Sequence, residues 1–148
     1  MSYTEIIKTS IGLLKIRSKN GYICSAKFID DKIVCTKNDD QLVLDIKNYF
    51  KGVSSELVAE YKIFGTEFQC KVWEEITKIP YGATKTYIEI ATAIGKPNSY
   101  RAVANACGQN RLALFIPCHR IVGKINNGGY KWGTDRKKWL VEFERHNI

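Results

Sequence analysis

A chain of 148 residues, 45% of them hydrophobic, is long enough to bury one good core or two small ones that share an interface. No window approaches the ~18 uninterrupted apolar residues of a membrane-crossing helix. Met1-Ser2-Tyr3-Thr4-Glu5 lacks the basic-then-apolar layout of a signal peptide, so a soluble, cytoplasmic protein is expected.

The net charge of +8 is lopsided. Residues 66–148 carry 13 Lys+Arg against 7 Asp+Glu, and residues 83–138 carry 10 against 2. Such a field suits a polyanion, with nucleic acid ahead of a membrane surface, although a charge run is more often just a solvated face. The five cysteines, Cys24, Cys35, Cys70, Cys107 and Cys118, are odd in number and widely spaced, which argues against a disulfide framework. With only His119 and His146 as histidines, no structural zinc site is expected.

The first third reads as strands over residues 3–8, 11–17, 22–29 and 32–36, punctuated by the turn dipeptides Asn20-Gly21 and Asp30-Asp31. Cys24 and Cys35 flank the second turn and could lie near each other, where a bridge is plausible mainly in a hyperthermophile. Asn38-Asp39-Asp40 offers caps for a helix over residues 41–50, with Leu42, Ile46, Tyr49 and Phe50 on one face and Gly52 at its end. Nothing here looks catalytic, and residues 1–60 read as a strand-rich scaffold domain.

Character changes at Gly65-Thr66. Thr66-x-x-Gln69 is a capping box for a helix with Phe68, Val72 and Ile76 inward, ended by Pro80. Thr86-x-x-Glu89 is a second box, opening a short helix with Ile88, Ala91 and Ile94 inward, stopped by Gly95 and Pro97. Asn98 or Ser99 then caps a third helix reaching about Cys107, with Ala102, Val103 and Ala106 inside and Arg101 and Asn105 outside. Two short helices joined by a tight turn have the layout of a helix-turn-helix, and small outward residues let the second approach a nucleic-acid backbone. A last helix, capped by Thr134, carries Trp139, Leu140 and Phe143 inward, with Glu144 beside that stripe. Taken alone, Glu144 reads as a solvated helix carboxylate.

The chemistry concentrates in Ile116-Pro117-Cys118-His119-Arg120. Proline turns the chain and aims the next side chain, and a thiol becomes a nucleophile only as the thiolate, which a neighbouring His or Arg favours. The bland alternative is a buried structural cysteine.

With Gly65-Thr66-Glu67-Phe68-Gln69, Pro80-Tyr81-Gly82, Tyr87, Arg101-Ala102-Val103-Ala104, Asn110 and Gly129-Tyr130-Lys131-Trp132-Gly133, that stretch resembles, in order and spacing, the O6-alkylguanine-DNA alkyltransferases, also called methylated-DNA–protein-cysteine methyltransferases. The resemblance covers roughly residues 62–148. It implies an α+β protein: a small N-terminal α/β, ribonuclease H-like domain over 1–60, then a mostly helical domain over 61–148 that holds the helix-turn-helix.

The resemblance implies that Cys118 accepts the alkyl group from guanine O6 as a stable thioether, once per molecule. His119 would be its base, reached through a bridging water because adjacent side chains on an extended segment point apart. Glu144 would orient the imidazole, and Asn110 would be the hinge into the site. Arg101 would fill the gap left by a flipped nucleotide, on a helix laid in the minor groove, with Thr86, Ser99, Tyr100 and Ala102 as further DNA contacts. Tyr87 would turn the 3′ phosphate and protonate the leaving base, and Ile121, Gly129, Tyr130, Lys131 and Trp132 would complete the pocket. The implied partner is duplex DNA carrying O6-alkylguanine, met by a monomer with no metal or cofactor.

Arg111 and Ala113 stand where many members have proline, so weaker reaction with bulky O6-benzyl groups is expected. Asn105 replaces a glycine common on the recognition helix. Two readings compete. A cysteine hydrolase would show sustained turnover on a peptide or ester, and a damage sensor would bind alkylated DNA without consuming its thiol.

Overall fold

The computed structural model describes residues 1–31, 35 and 40–148. The strand expected at 32–36 and the caps Asn38 and Asp39 lie outside these residues. The fold is mixed α/β, with two small sheets and five helices, α1–α5, among the described residues. Contacts divide it into two compact units: Met1–Ile63 with Arg111–Phe115, and Phe64–Asn110 with Ile116–Ile148.

In the first unit, β1 (Ser2–Thr9), β2 (Gly12–Lys19) and β3 (Tyr22–Ile29) form an antiparallel meander in that order. Asn20 and Gly21 both take positive φ, 52° and 84°, the geometry that matches the twist of a two-residue hairpin. Alternation then buries Ile7, Leu14, Ile16, Ala26 and Phe28. The outer edge of β3 is not left open. Residues 60–62 bond to Ile23, and residues 111–113 bond to Ala26, so the edge is paired at these two points. Helix α1 (Gln41–Phe50) starts at Asp40, whose side chain accepts from the Val43 amide at 3.0 Å. Its buried face is Val43, Ile46 and Tyr49, while the expected Leu42 and Phe50 stay half-buried at the edges.

In the second unit, α2 (Glu67–Thr77) and α3 (Tyr87–Ala93) each begin with a complete capping box, Thr66/Gln69 and Thr86/Glu89. Trp73, which the periodicity passed over, is buried on α2, and its indole N–H donates to the Ala106 carbonyl of α4 (Tyr100–Gly108) at 2.9 Å. Strand β4 (Lys85–Thr86) pairs in parallel with β5 (Ile121–Val122).

Several inward assignments need correction. Ile88 is exposed because Ile90 shares a face with Ala91 and Ile94, and Ile88 lies two residues, about 200°, away from Ile90. Ala102 sits outside the Val103–Ala106 stripe and is exposed. Ser99 precedes α4 without a side-chain cap. Thr134 is the first residue of α5 (Thr134–His146) rather than its cap, a place taken by Gly133 at φ 102°. The buried stripe of α5 is Lys137, Leu140, Val141 and Glu144; Trp139 and Phe143 are half-buried and stack on each other at 4.6 Å.

Candidate active site

Pro117, at φ −78° and ψ 65°, makes an inverse γ-turn closed by the Cys118 amide on the Ile116 carbonyl at 2.7 Å. Residues 118–120 continue as one turn of 3₁₀ helix, so the segment is not the extended run expected for it. Three consecutive side chains thereby fan out to different partners.

Cys118 is buried. The Asn110 side-chain amide, fully buried itself, donates to the Ile116 carbonyl at 2.9 Å and to Cys118 Sγ at 3.2 Å. The Cys107 side chain beside it and burial push the Cys118 thiol well above the usual range, against the Asn110 hydrogen bond and the nearby Lys137 charge. At rest the thiol carries its proton.

His119 is 1% exposed, and its Nε2 lies 2.8 Å from Glu144 Oε2. Burial holds the imidazole below its ordinary pKa against the pull of Glu144, so the ring is neutral at neutral pH. Bonded to a carboxylate, Nε2 is the protonated nitrogen, and Nδ1, buried with no protein partner, keeps its lone pair. Glu144, expected in isolation to be solvated, is also 1% exposed. Arg120 grips it with Nε at 2.8 Å and Nη2 at 3.0 Å, and the Gly82 amide approaches at 3.4 Å. Burial alone would raise the carboxyl, but the bonds and charges of His119 and Arg120 prevail and hold it well below the carboxylate range.

Cys118 opens into a cavity of about 220 Å³ lined by Tyr87, Ala104, Cys107, Gly108, Gly129, Tyr130 and Lys131. That is small for a ligand pocket and suits one planar group. Lys137, fully buried, donates to the Gly129 carbonyl at 2.9 Å and to the Tyr87 hydroxyl at 3.5 Å. Burial lowers Lys137 to about 8 and raises Tyr87 to about 12, so at neutral pH both hold their protons. Gly128, at φ 71°, lies against Tyr87: a Cβ there would stand 2.5 Å from the phenol oxygen.

The structure therefore gathers Cys118, His119, Glu144, Asn110, Tyr87, Gly129, Tyr130 and Lys131. It does not bring Ile121 or Trp132 to the cavity wall. Ile121 is fully buried in β5, and Trp132 packs edge-on against Tyr130 at 5.2 Å. Ala113 is buried in the first unit and does not line the cavity either. Arg101 is exposed on α4 with Tyr100 beside it, while the Thr86 hydroxyl is engaged as the cap of α3. The sequence reading passed over Lys137, Cys107, Ala104 and Gly108. One signal was available for Lys137: it precedes Glu144 by seven residues, two helical turns, and so shares its face. Among the described residues no cluster of three or more His, Cys, Asp or Glu could hold a metal, and no helix is long and apolar enough to cross a membrane.

Fold and site define a two-unit α/β protein with a buried, hydrogen-bonded thiol under a small cavity lined in part by α4, whose exposed side carries Arg101. A family model described as 6-O-methylguanine DNA methyltransferase, DNA binding domain, matches residues 67–146. The probable methylated-DNA–protein-cysteine methyltransferase of Acanthamoeba polyphaga mimivirus is 48% identical over 97% of both chains. The methylated-DNA–protein-cysteine methyltransferase of Methanosarcina barkeri is 42% identical over 99% of both. Among solved structures, Mycobacterium tuberculosis O6-methylguanine methyltransferase superposes with TM-score 0.86 at 32% identity, covering 100% of this chain and 95% of that one. Mycobacterium tuberculosis OGT in complex with DNA gives 0.87 at 32%, covering 98% and 94%. The chain belongs to the 6-O-methylguanine DNA methyltransferase family.

Proposed function

We propose that this protein repairs duplex DNA directly, moving the alkyl group of O6-alkylguanine onto Cys118 in a single irreversible step. One observation carries the assignment of the acceptor. The Cys118 thiol sits on the floor of a base-sized cavity, beside a neutral His119 whose far nitrogen is anchored by Glu144, itself held by Arg120.

The thiol proton passes to His119 Nδ1, in our reading through one bridging water, and Glu144 stabilises the imidazolium. Asn110 donates to the sulfur as it gains charge. The S–C bond forms as the C–O6 bond breaks, and the electron pair leaves with guanine. Tyr87 protonates a ring nitrogen, with Lys137 hydrogen-bonded to the phenol oxygen. A thioether is no leaving group at neutral pH, so each molecule reacts once.

The target atom lies inside the duplex, so the nucleotide is flipped into the cavity, at a cost of a few kcal/mol of unstacking. Helices α3 and α4, joined by residues 94–99, are read as a helix-turn-helix with α4 in the minor groove. Arg101 fills the stack, and Ser99, Tyr100, Thr86 and Ala102 face the backbone. The β1–β3 meander with α1 supports a ribonuclease H-like reading of the N-terminal part, and the functional division is drawn at 1–60 and 61–148. The working form is a monomer.

Cys118→Ser tests the assignment. The variant is expected to bind a duplex bearing O6-methylguanine as tightly as wild type while accepting no methyl group. Methyl uptake by the variant, or more than one methyl per wild-type molecule, would overturn it.

A further inference from the structure

Cys107 has no part in alkyl transfer as derived above, yet it stands at the centre of the site. It lies in the last turn of α4, half-buried, and lines the same cavity as Cys118. The Cys118 sulfur is 3.9 Å from the Cys107 carbonyl oxygen, to which its thiol donates. Asn110 ties both ends of the pair: its backbone amide donates to the Cys107 carbonyl at 3.2 Å, and its side chain donates to Cys118 Sγ at 3.2 Å. Two thiols alone are no metal site, and no third ligand joins them among the described residues. Cys24, Cys35 and Cys70 are not in the cavity wall.

We propose that Cys107 and Cys118 form a reversible redox pair, in which oxidation joins them as an intramolecular disulfide that withdraws the acceptor thiol and a thiol reductant restores it. The functional consequence rests on Cys118 being the alkyl acceptor; the chemistry of the pair does not. Cys107 is the more exposed of the two and meets the oxidant first. Hydrogen peroxide takes its sulfur to the sulfenic acid and releases one water. The Cys118 sulfur then attacks the Cys107 sulfur, the S–S bond forms, and the hydroxyl leaves as a second water with the Cys118 proton. Two thiols lose two electrons in all, and one peroxide is reduced to two waters. Both side chains line one cavity and the Cys118 sulfur already lies 3.9 Å from the Cys107 backbone, so the roughly 2.05 Å of a disulfide is reached by side-chain rotation with a shift at the end of α4. The pair thus diverts a single-use acceptor from the irreversible sulfinic acid.

The full chain is treated with hydrogen peroxide, quenched with N-ethylmaleimide and digested without reductant. The expected product is a cross-linked peptide joining positions 107 and 118, two hydrogens lighter than its parts, with methyl-acceptor capacity lost and then fully recovered in dithiothreitol. Cys107→Ser, and Cys107→Ala as a second variant checked for folding by circular dichroism, are expected to give no cross-link, with Cys118 carried to the sulfinic acid and no recovery. Sulfinic acid at Cys118 as abundant in wild type as in the variants would overturn the proposal, and so would a wild-type map in which Cys118 stays free or pairs elsewhere. The cross-link is read by mass without alkylated DNA, so a failure of Cys118 to accept methyl would leave this outcome untouched and be seen separately.

Discussion

Glu144 joins stability and chemistry in one side chain. It holds the imidazole of His119 and neutralises Arg120, whose Nη1 also donates to the Ile79 carbonyl at 2.8 Å. Glu144→Gln leaves Arg120 with an uncharged partner in a nearly dry site. It is expected to cost about 3 kcal/mol in urea unfolding and to slow methyl transfer about a hundredfold. The pH dependence follows from the two shifts. The Glu144 carboxyl is depressed, so its contribution is complete above the ordinary carboxylate range and is lost as pH falls through the folded value. His119 is also lowered, so below about pH 6.5 the unfolded chain binds the proton first, and acidification again favours unfolding. Both signs agree. The melting temperature should fall as pH drops from 7 to 5 through His119, and fall further below the ordinary carboxylate range through Glu144; a rise between pH 7 and 5 would contradict the neutral, buried imidazole. Lys137 works at the other end of the scale. With the folded value near 8, the unfolded chain binds more protons between there and about 10.4. Wild type should therefore gain up to roughly 3 kcal/mol relative to Lys137→Met between pH 8 and 10, read by urea unfolding. Cys118 and His119 were legible in the sequence because their chemistry is written in residue type and order, whereas Glu144 and Asn110 were legible only through the family resemblance. Lys137 was not, since a lysine in a helix reads as a solvated charge until the packing of α5 shows otherwise.

Among the elements, the helix starts with reciprocal caps were legible and the irregular segments were not. Thr66/Gln69 and Thr86/Glu89 announce α2 and α3 because a capping box is a local interaction within four residues. The start of α5 carries no such signal, as Gly133 offers no side chain to cap it. The 3₁₀ turn at 118–120 depends on Pro117 adopting ψ 65°, a choice made by its hydrogen-bonding surroundings rather than by the ring. The loop before α5 matters most for the chemistry, since Gly128 lies against Tyr87 at a φ that other residues rarely adopt. Gly128→Ala is expected to push the phenol out of the cavity and to slow alkyl transfer at least tenfold, with a stability loss of about 1–2 kcal/mol. Transfer at the wild-type rate would mean that Tyr87 is not held by this contact.

For the molecule as a whole, the charge of +8 sets how it meets DNA. Affinity for duplex should fall about tenfold or more between roughly 50 and 200 mM salt, and a flat salt response would argue against a phosphate-tracking interface. Alkylation should also report on the fold. Methylation removes the Cys118 S–H, which donates to the Cys107 carbonyl at 3.9 Å, at a cost of about 1 kcal/mol, which lowers the melting temperature by roughly 2–4 °C for a chain of this size. The most direct test of the central claim is the mass of the intact protein, followed by peptide mapping, after mixing it with duplex DNA carrying one O6-methylguanine. The expected result is a gain of one CH₂ per molecule, confined to the peptide holding Cys118 and equal in amount to the lesion repaired. No gain with the lesion still bound, or a gain on any other residue, would contradict it.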